Sequence, residues 1–213
     1  MLVYDQILDR VKNYKKYGDV YKKDEPISLI ENFNIERLQS VSYDVSMGNK
    51  IRKFKDKFKT IYLDEKNDID NLFIEEDITN GYKLIPGEYI LVRLNEKLNM
   101  PNDLAGHIRP RTTFNKLGLI ITSQHINPSY SGNLQIGIKN ETPNVVILKP
   151  GLVIGQVVFE KVDDIIREDM LYKNKKESKY QDEDNFVGSK IYDEDKVKKA
   201  KYLYKKLIKI VQE

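Results

Sequence analysis

Apolar positions along the chain change their spacing several times. Val3, Ile7, Leu8 and Val11 recur on one helical face, which predicts a first helix over residues 2–17, closed by Gly18. A turn-prone linker and the stretch 27–34 follow. Val41, Tyr43, Val45 and Met47 then alternate with polar residues as a strand, which Gly48-Asn49 is expected to end in a turn. Residues 52–80 are highly charged and weakly periodic, the pattern of a hairpin or long surface loop. From Tyr82 onward the chain is β-rich, with apolar runs at 90–94, 105–109, 118–123, 134–139, 145–148 and 153–159. Short strands separated by regular turns predict an antiparallel sandwich or barrel. Pro86-Gly87 and Pro150-Gly151 each stand just before an apolar strand. Pro fixes φ and Gly accepts positive φ, so both predict type II turns.

After Val162 the pattern turns polar as far as Asp184. Val197, Ala200, Leu203, Tyr204, Leu207 and Val211 then form one stripe, with lysines around it. Asp193, Glu194 and Asp195 at its start suit a helix dipole, so a terminal amphipathic helix is expected to about Gln212.

Composition narrows the chemistry more than the fold. The chain has 213 residues and no cysteine, which excludes disulfides and thiolate ligation. With His107 and His125 as the two histidines, a zinc site is not expected. Charge is nearly balanced, 36 basic against 33 acidic residues, so nucleic acid is not the expected partner. No run of roughly 18 apolar residues and no signal-type core occurs, which predicts a protein that crosses no membrane and works in the cytoplasm. The abundance of Lys, Asn, Ile and Tyr suggests an AT-rich bacterial or phage genome.

Specific chemistry enters through motifs. Ser42 to Phe54 reads SYDVSMGNKIRKF, and Leu84 to Leu119 begins LIPGEYILVRL and ends RPRTTFNKLGL. Residues 125–140 read HINPSYSGNLQIGIKN, and 148–161 read LKPGLVIGQVVFEK. Tyr172, Ser178-Lys179-Tyr180-Gln181 and Ser189-Lys190-Ile191 follow. In this order and spacing the segments resemble the dCTP deaminase/dUTPase superfamily over residues 1–191, with 192–213 as a C-terminal helical extension. The resemblance implies a mainly β fold with a dUTPase-like distorted barrel or jelly-roll core, an N-terminal helix and an added C-terminal helix. It also implies a homotrimer with nucleotide sites between subunits, and Mg²⁺ carried by the bound triphosphate.

Residue by residue, the resemblance makes Arg111, Thr112 and Thr113 phosphate donors, chemistry that a guanidinium and two hydroxyls suit. Lys116 stands where the family has Arg, keeping charge but losing the bidentate fork. Tyr130 matches an aromatic that packs on sugar or base, or is simply core. Gln156 matches the IGQ turn, and Tyr172 and Lys179 match a tail that closes over the phosphates.

Two positions depart from the family. Its deaminase Glu lies five residues after the glycine corresponding to Gly132, and here that position is Gly137. The dUTPase carboxylate that orients water corresponds to Asn127, whose amide cannot accept a proton. Glycine is neither acid nor base. Glu183 also replaces a tail Gln. The expectation is therefore a nucleotide-binding member that has lost the usual catalysis and binds or sequesters a nucleotide or nucleotide-derived signal, a role that would serve a phage against host defence. Two readings stay open beside it: an active dCTP deaminase or dUTPase with chemistry moved to Asp44, Glu141 or His125, and a protein-interaction module using the C-terminal helix.

Overall fold

The computed structural model describes residues 1–18, 26–55, 60–66, 69, 71–176, 178–183, 185–186 and 188–212. The linker at 19–25 and part of the charged segment 52–80 lie outside them. Among the described residues, thirteen strands carry most of the ordered chain.

The main sheet is antiparallel and curls into a half-barrel around the core. Its order is β8 (Leu119–Ile121), β11 (Gln135–Asn140), β5 (Tyr89–Leu94), β2 (Tyr43–Phe54), β13 (Val153–Lys161), β7 (Leu104–Pro110) and β9 (Gln124–Ile126). β2 is the hinge of the curl. Its first half pairs with β13, and its second half pairs with β5 and with β3 (Phe73–Asp77). Gly48-Asn49 therefore does not end the strand as the sequence suggests. The chain continues through a bulge, where the register against β5 shifts between Met47 and Ile51. The charged segment does form the expected hairpin, β2 with β3.

Two small sheets complete the fold. β1 (Ile30–Glu31), β6 (Lys97–Asn99) and β10 (Ser131–Gly132) form one, and β4 (Tyr82–Leu84) pairs with β12 (Val146–Leu148). Asn99 ties the first together: its amide N–H donates to Ser28 O and to Glu31, and its carbonyl accepts from Ser131 Oγ. Gly87 and Gly151 have φ of 75° and 82°, as type II turns require.

Alternation explains the core. On β5 the inward set is Ile90, Val92 and Leu94, and on β11 it is Ile136 and Ile138, all essentially inaccessible. Each such side chain contributes roughly 1.5–3 kcal/mol by leaving water. β11 is covered on its other face as well, where Glu183 of the segment after β13 meets Gln135 and the Tyr89 ring meets Gly137.

The first helix, α1, spans Tyr4–Lys12, shorter than predicted. A 3-10 turn at Tyr14–Tyr17 follows, and Gly18 is right-handed rather than a left-handed cap. Val3 is the exposed N-cap residue, and Leu2 takes its place in the core with Ile7 and Val11. Arg10 grips Asp103 through both guanidinium nitrogens and fixes α1 to the sheet. A short helix, α2 (Thr112–Leu117), follows β7, and buried Phe114 anchors it. The last helix, α3, spans Asp195–Gln212, two residues later than expected. Leu203, Tyr204 and Leu207 of its stripe are exposed, and Lys201 bonds Glu65 in the charged loop.

Candidate functional site

A cleft of about 430 Å³ lies between β9, β10, β11 and the tail that follows β13. Asn127, Tyr130, Leu134 and Gln135 line one part of it, Leu91 and His125 another, and Tyr172, Tyr180, Glu183, Gly188 and Ser189 of the tail cover it.

Local sequence builds the floor. Pro128 and Ser129 make the turn before β10, with Ser129 at φ 67°. That conformation is uncommon for a residue with a side chain, and the tail holds it in place. Tyr172 N–H donates to Pro128 O, Lys173 N–H donates to Ser129 Oγ, and Gln181 Nε2 donates to Ser129 O. Tyr130 is 5% exposed, with its ring edge-on to Tyr172 at 5.8 Å between centroids.

The tail then adds a single parallel bridge beside β10. Asp182 N–H donates to Ser131 O, and Asn133 N–H donates to Glu183 O. Gly132 makes this approach possible: a Cβ there would stand 2.8 Å from Glu183 N and 2.7 Å from the Tyr130 hydroxyl. The bridge turns the Glu183 side chain into the cleft, where it accepts a hydrogen bond from Gln135 Nε2. Burial pushes the Glu183 carboxyl up to about 7, against the pull of the Gln135 hydrogen bond and the charges of Lys190 and Arg52.

Gly137 lies on the same face of β11 as Gln135, two residues on, but does not line the cleft. The Tyr89 ring, from the adjacent strand β5, fills the space a side chain would need. A Cβ on Gly137 would be 2.2 Å from the Tyr89 hydroxyl and 2.7 Å from two ring carbons. Burial raises the Tyr89 phenol above its ordinary range, which keeps it neutral. The signal that could have revealed this ring is a glycine in the middle of a strand, which commonly marks a place where another group packs close.

The sequence-predicted site residues divide into separate groups. Asn127, Tyr130 and Tyr172 meet in the cleft. Lys179 lines an adjoining groove with Lys176, Lys190 and Lys198, and its ammonium is engaged by Lys190 O at 2.9 Å and Glu194 at 3.1 Å. Arg111, Thr112, Thr113, Lys116 and Gln156 do not line the cleft. Arg111 leads into α2 and approaches Asp44 at 3.6 Å, Thr112, Thr113 and Lys116 are exposed, and Gln156 accepts from Ser42. Of the alternative acid–base residues, Asp44 faces Arg111 and Glu141 pairs with Lys139. His125 lines the cleft, with its ring 4.8 Å from that of His107. Sequence reasoning missed Gln135, Leu91 and Tyr180 as cleft residues and Tyr89 as the neighbour of Gly137, and noted Glu183 only as a departure.

Comparison with known proteins agrees with this architecture. A family model described as dCTP deaminase-like matches residues 21–162. A dCTP deaminase of Pseudoalteromonas atlantica is 27% identical over 182 residues, covering 80% of this chain and 90% of the relative. A dUMP-forming dCTP deaminase of Corynebacterium glutamicum is 31% identical over 167 residues, covering 76% and 87%. The crystal structure of 2'-deoxycytidine 5'-triphosphate deaminase from Agrobacterium tumefaciens superimposes with a TM-score of 0.52 at 21% identity, over 66% of this chain and 46% of that one. The chain belongs to the dCTP deaminase-like family.

Proposed function

We propose that this member of the dCTP deaminase-like family binds a pyrimidine nucleotide in the tail-covered cleft and has lost the family's deamination chemistry, acting by binding or sequestration. One observation carries the reading. The position expected to hold the deaminase carboxylate is Gly137, and Tyr89 occupies the space beside it. With Asn127 at the other carboxylate position, neither expected proton-transfer group remains.

The cleft suits the base and sugar, with Tyr130 and Leu91 as apolar wall and Asn127 and Gln135 as hydrogen-bonding groups. Arg111, Thr112, Thr113 and Lys116 would supply phosphate contacts from a second copy, in a homotrimer with sites between subunits. Mg²⁺ would arrive on the phosphates: the described residues contain no group of three His, Asp or Glu able to hold a metal ion.

The test is calorimetric titration of the purified protein with dCTP, dUTP and dTTP, paired with assays for uracil formation and pyrophosphate release. Binding without turnover is expected; robust turnover overturns the loss of chemistry. Gly137→Glu alone should not restore deamination, because the carboxylate and the Tyr89 ring compete for one place, and it should destabilise by roughly 1–3 kcal/mol through overpacking. Gained deaminase activity in that variant would show that Tyr89 yields readily.

A second reading is favoured by Glu183 alone. A carboxyl with its proton poised near neutral pH, inside the cleft, is the type of group a relocated deamination needs. In that case the wild type turns over dCTP and Glu183→Gln does not.

A further inference from the structure

Glu183 is the single carboxylate side chain among the described residues lining the cleft, and it is 7% exposed. Its backbone is held on both sides by the bridge to β10, so the side chain has little freedom to swing out to water. Among the described residues it forms no ion pair. The charges facing it are Arg52 from β2 and Lys190 from the tail, and both are used elsewhere. Arg52 donates to Phe186 O at 2.9 Å and lies over the Phe186 ring, and Lys190 Nζ donates to Lys179 O at 2.6 Å. The other titratable groups of the cleft are His125 on β9 and the phenols of Tyr130, Tyr172 and Tyr180.

From this geometry we infer that Glu183, steered by Gln135, is the base-reading group of the cleft, and that ligand binding draws a proton onto it. The inference rests on the reading that a nucleotide base occupies this cleft.

The argument is one of hydrogen-bond complementarity. A base entering the cleft removes the water still reaching the carboxyl. An ionised carboxylate offers acceptors only, and desolvating it without a donor is costly. A neutral carboxylic acid offers a donor beside an acceptor. That pair matches the edge of cytosine, where the ring nitrogen accepts and the neighbouring amino group donates. Uracil presents a ring N–H beside a carbonyl and can also pair, but its carbonyl is a weaker acceptor than the cytosine ring nitrogen. An ionised carboxylate would set acceptor against acceptor with either base. One proton therefore moves from solvent to the carboxyl on binding, and no bond of the nucleotide is made or broken. Burial in the free protein already holds that proton to about pH 7, so near neutrality the uptake is partial and easily shifted.

The experiment is calorimetric titration of the full chain with dCTP and dUTP from about pH 6 to about pH 8.5, in buffers of different ionisation enthalpy. Expected are net proton uptake approaching one per site at the alkaline end and an affinity that falls by up to about tenfold per pH unit above neutrality, with dCTP favoured. Glu183→Gln, whose amide also presents a donor beside an acceptor, should still bind but lose the part of this linkage that the nucleotide phosphates do not share. His125→Gln should keep it. Binding with equal affinity across the range and no uptake overturns the inference alone, as does linkage that survives unchanged in Glu183→Gln. No heat with any nucleotide at any pH overturns the nucleotide reading, and the inference with it.

Discussion

The cleft and the Arg111 face are built from the same family pattern but are finished differently. In the cleft, Tyr130, Gln135 and Glu183 are 5–7% exposed and bound into one network by the chain's own tail. At the Arg111 face, Thr112, Thr113 and Lys116 stand in solvent, and Arg111 reaches Asp44 only at 3.6 Å. A single chain thus completes a pocket of nucleoside size and leaves the expected phosphate donors outside it. The difference teaches that the cleft is finished by the monomer fold, whereas the Arg111 face is not; under the proposed function, the first would take the base and the second would need another copy to meet the phosphates.

The comparison breaks most sharply at Gly132. Its φ is 150°, and an added Cβ meets the tail backbone and the Tyr130 hydroxyl. Gly132→Ala should cost about 3–4 kcal/mol through combined strain and overpacking. It should also free the tail, read as faster hydrogen exchange over 172–183. Unchanged protection there would show that the tail does not depend on the bridge to β10.

A smaller, pH-dependent effect belongs to Glu183. Its carboxyl is raised in the folded protein from 4.5 to about 7. The proton-linked stability is fully present below pH 4.5 and is lost as pH rises through about 7. Glu183→Gln should therefore match the wild type near the acidic end and exceed it at alkaline pH. The gain is up to about 3 kcal/mol, less where the tail opens locally instead. Thermal melts across the range check this, and a constant offset between the two proteins would contradict it.

The smallest stability effect is expected at Arg111. A half-exposed ion pair of this length contributes roughly 0–1 kcal/mol, so Arg111→Ala should barely move the melting temperature. Its affinity for dCTP should nonetheless fall by about tenfold while affinity for deoxycytidine is unchanged, given the usual strength of a charge-assisted phosphate contact. Equal losses for both ligands would place Arg111 outside phosphate recognition.

Much of the fold was legible because strand alternation and turn chemistry are local. Ile90, Val92 and Leu94 declare the inner face of β5, and Pro86-Gly87 and Pro150-Gly151 declare turns. Local rules failed where distant residues decide. Gly48-Asn49 looks like a turn, yet pairing with β5 carries the strand through it as a bulge. Thr112 and Thr113 have β-forming side chains, but Phe114 anchors them in a helix. The stripe on α3 does form the expected amphipathic helix, but whether it packs is a tertiary matter, and the part around Leu203, Tyr204 and Leu207 is exposed.

By itself the sequence determined the family, the β-rich core and the presence of Gly137 and Asn127 where carboxylates are expected, since motif order and residue type need no coordinates. Only the tertiary structure decided what stands in their place. Tyr89 and Gly137 are 48 positions apart, and Gln135 and Glu183 the same. Each pair meets only because strand pairing and the returning tail bring them together. The ring that fills the space beside Gly137 and the burial that raises the Glu183 carboxyl are consequences of that packing, which no local pattern encodes.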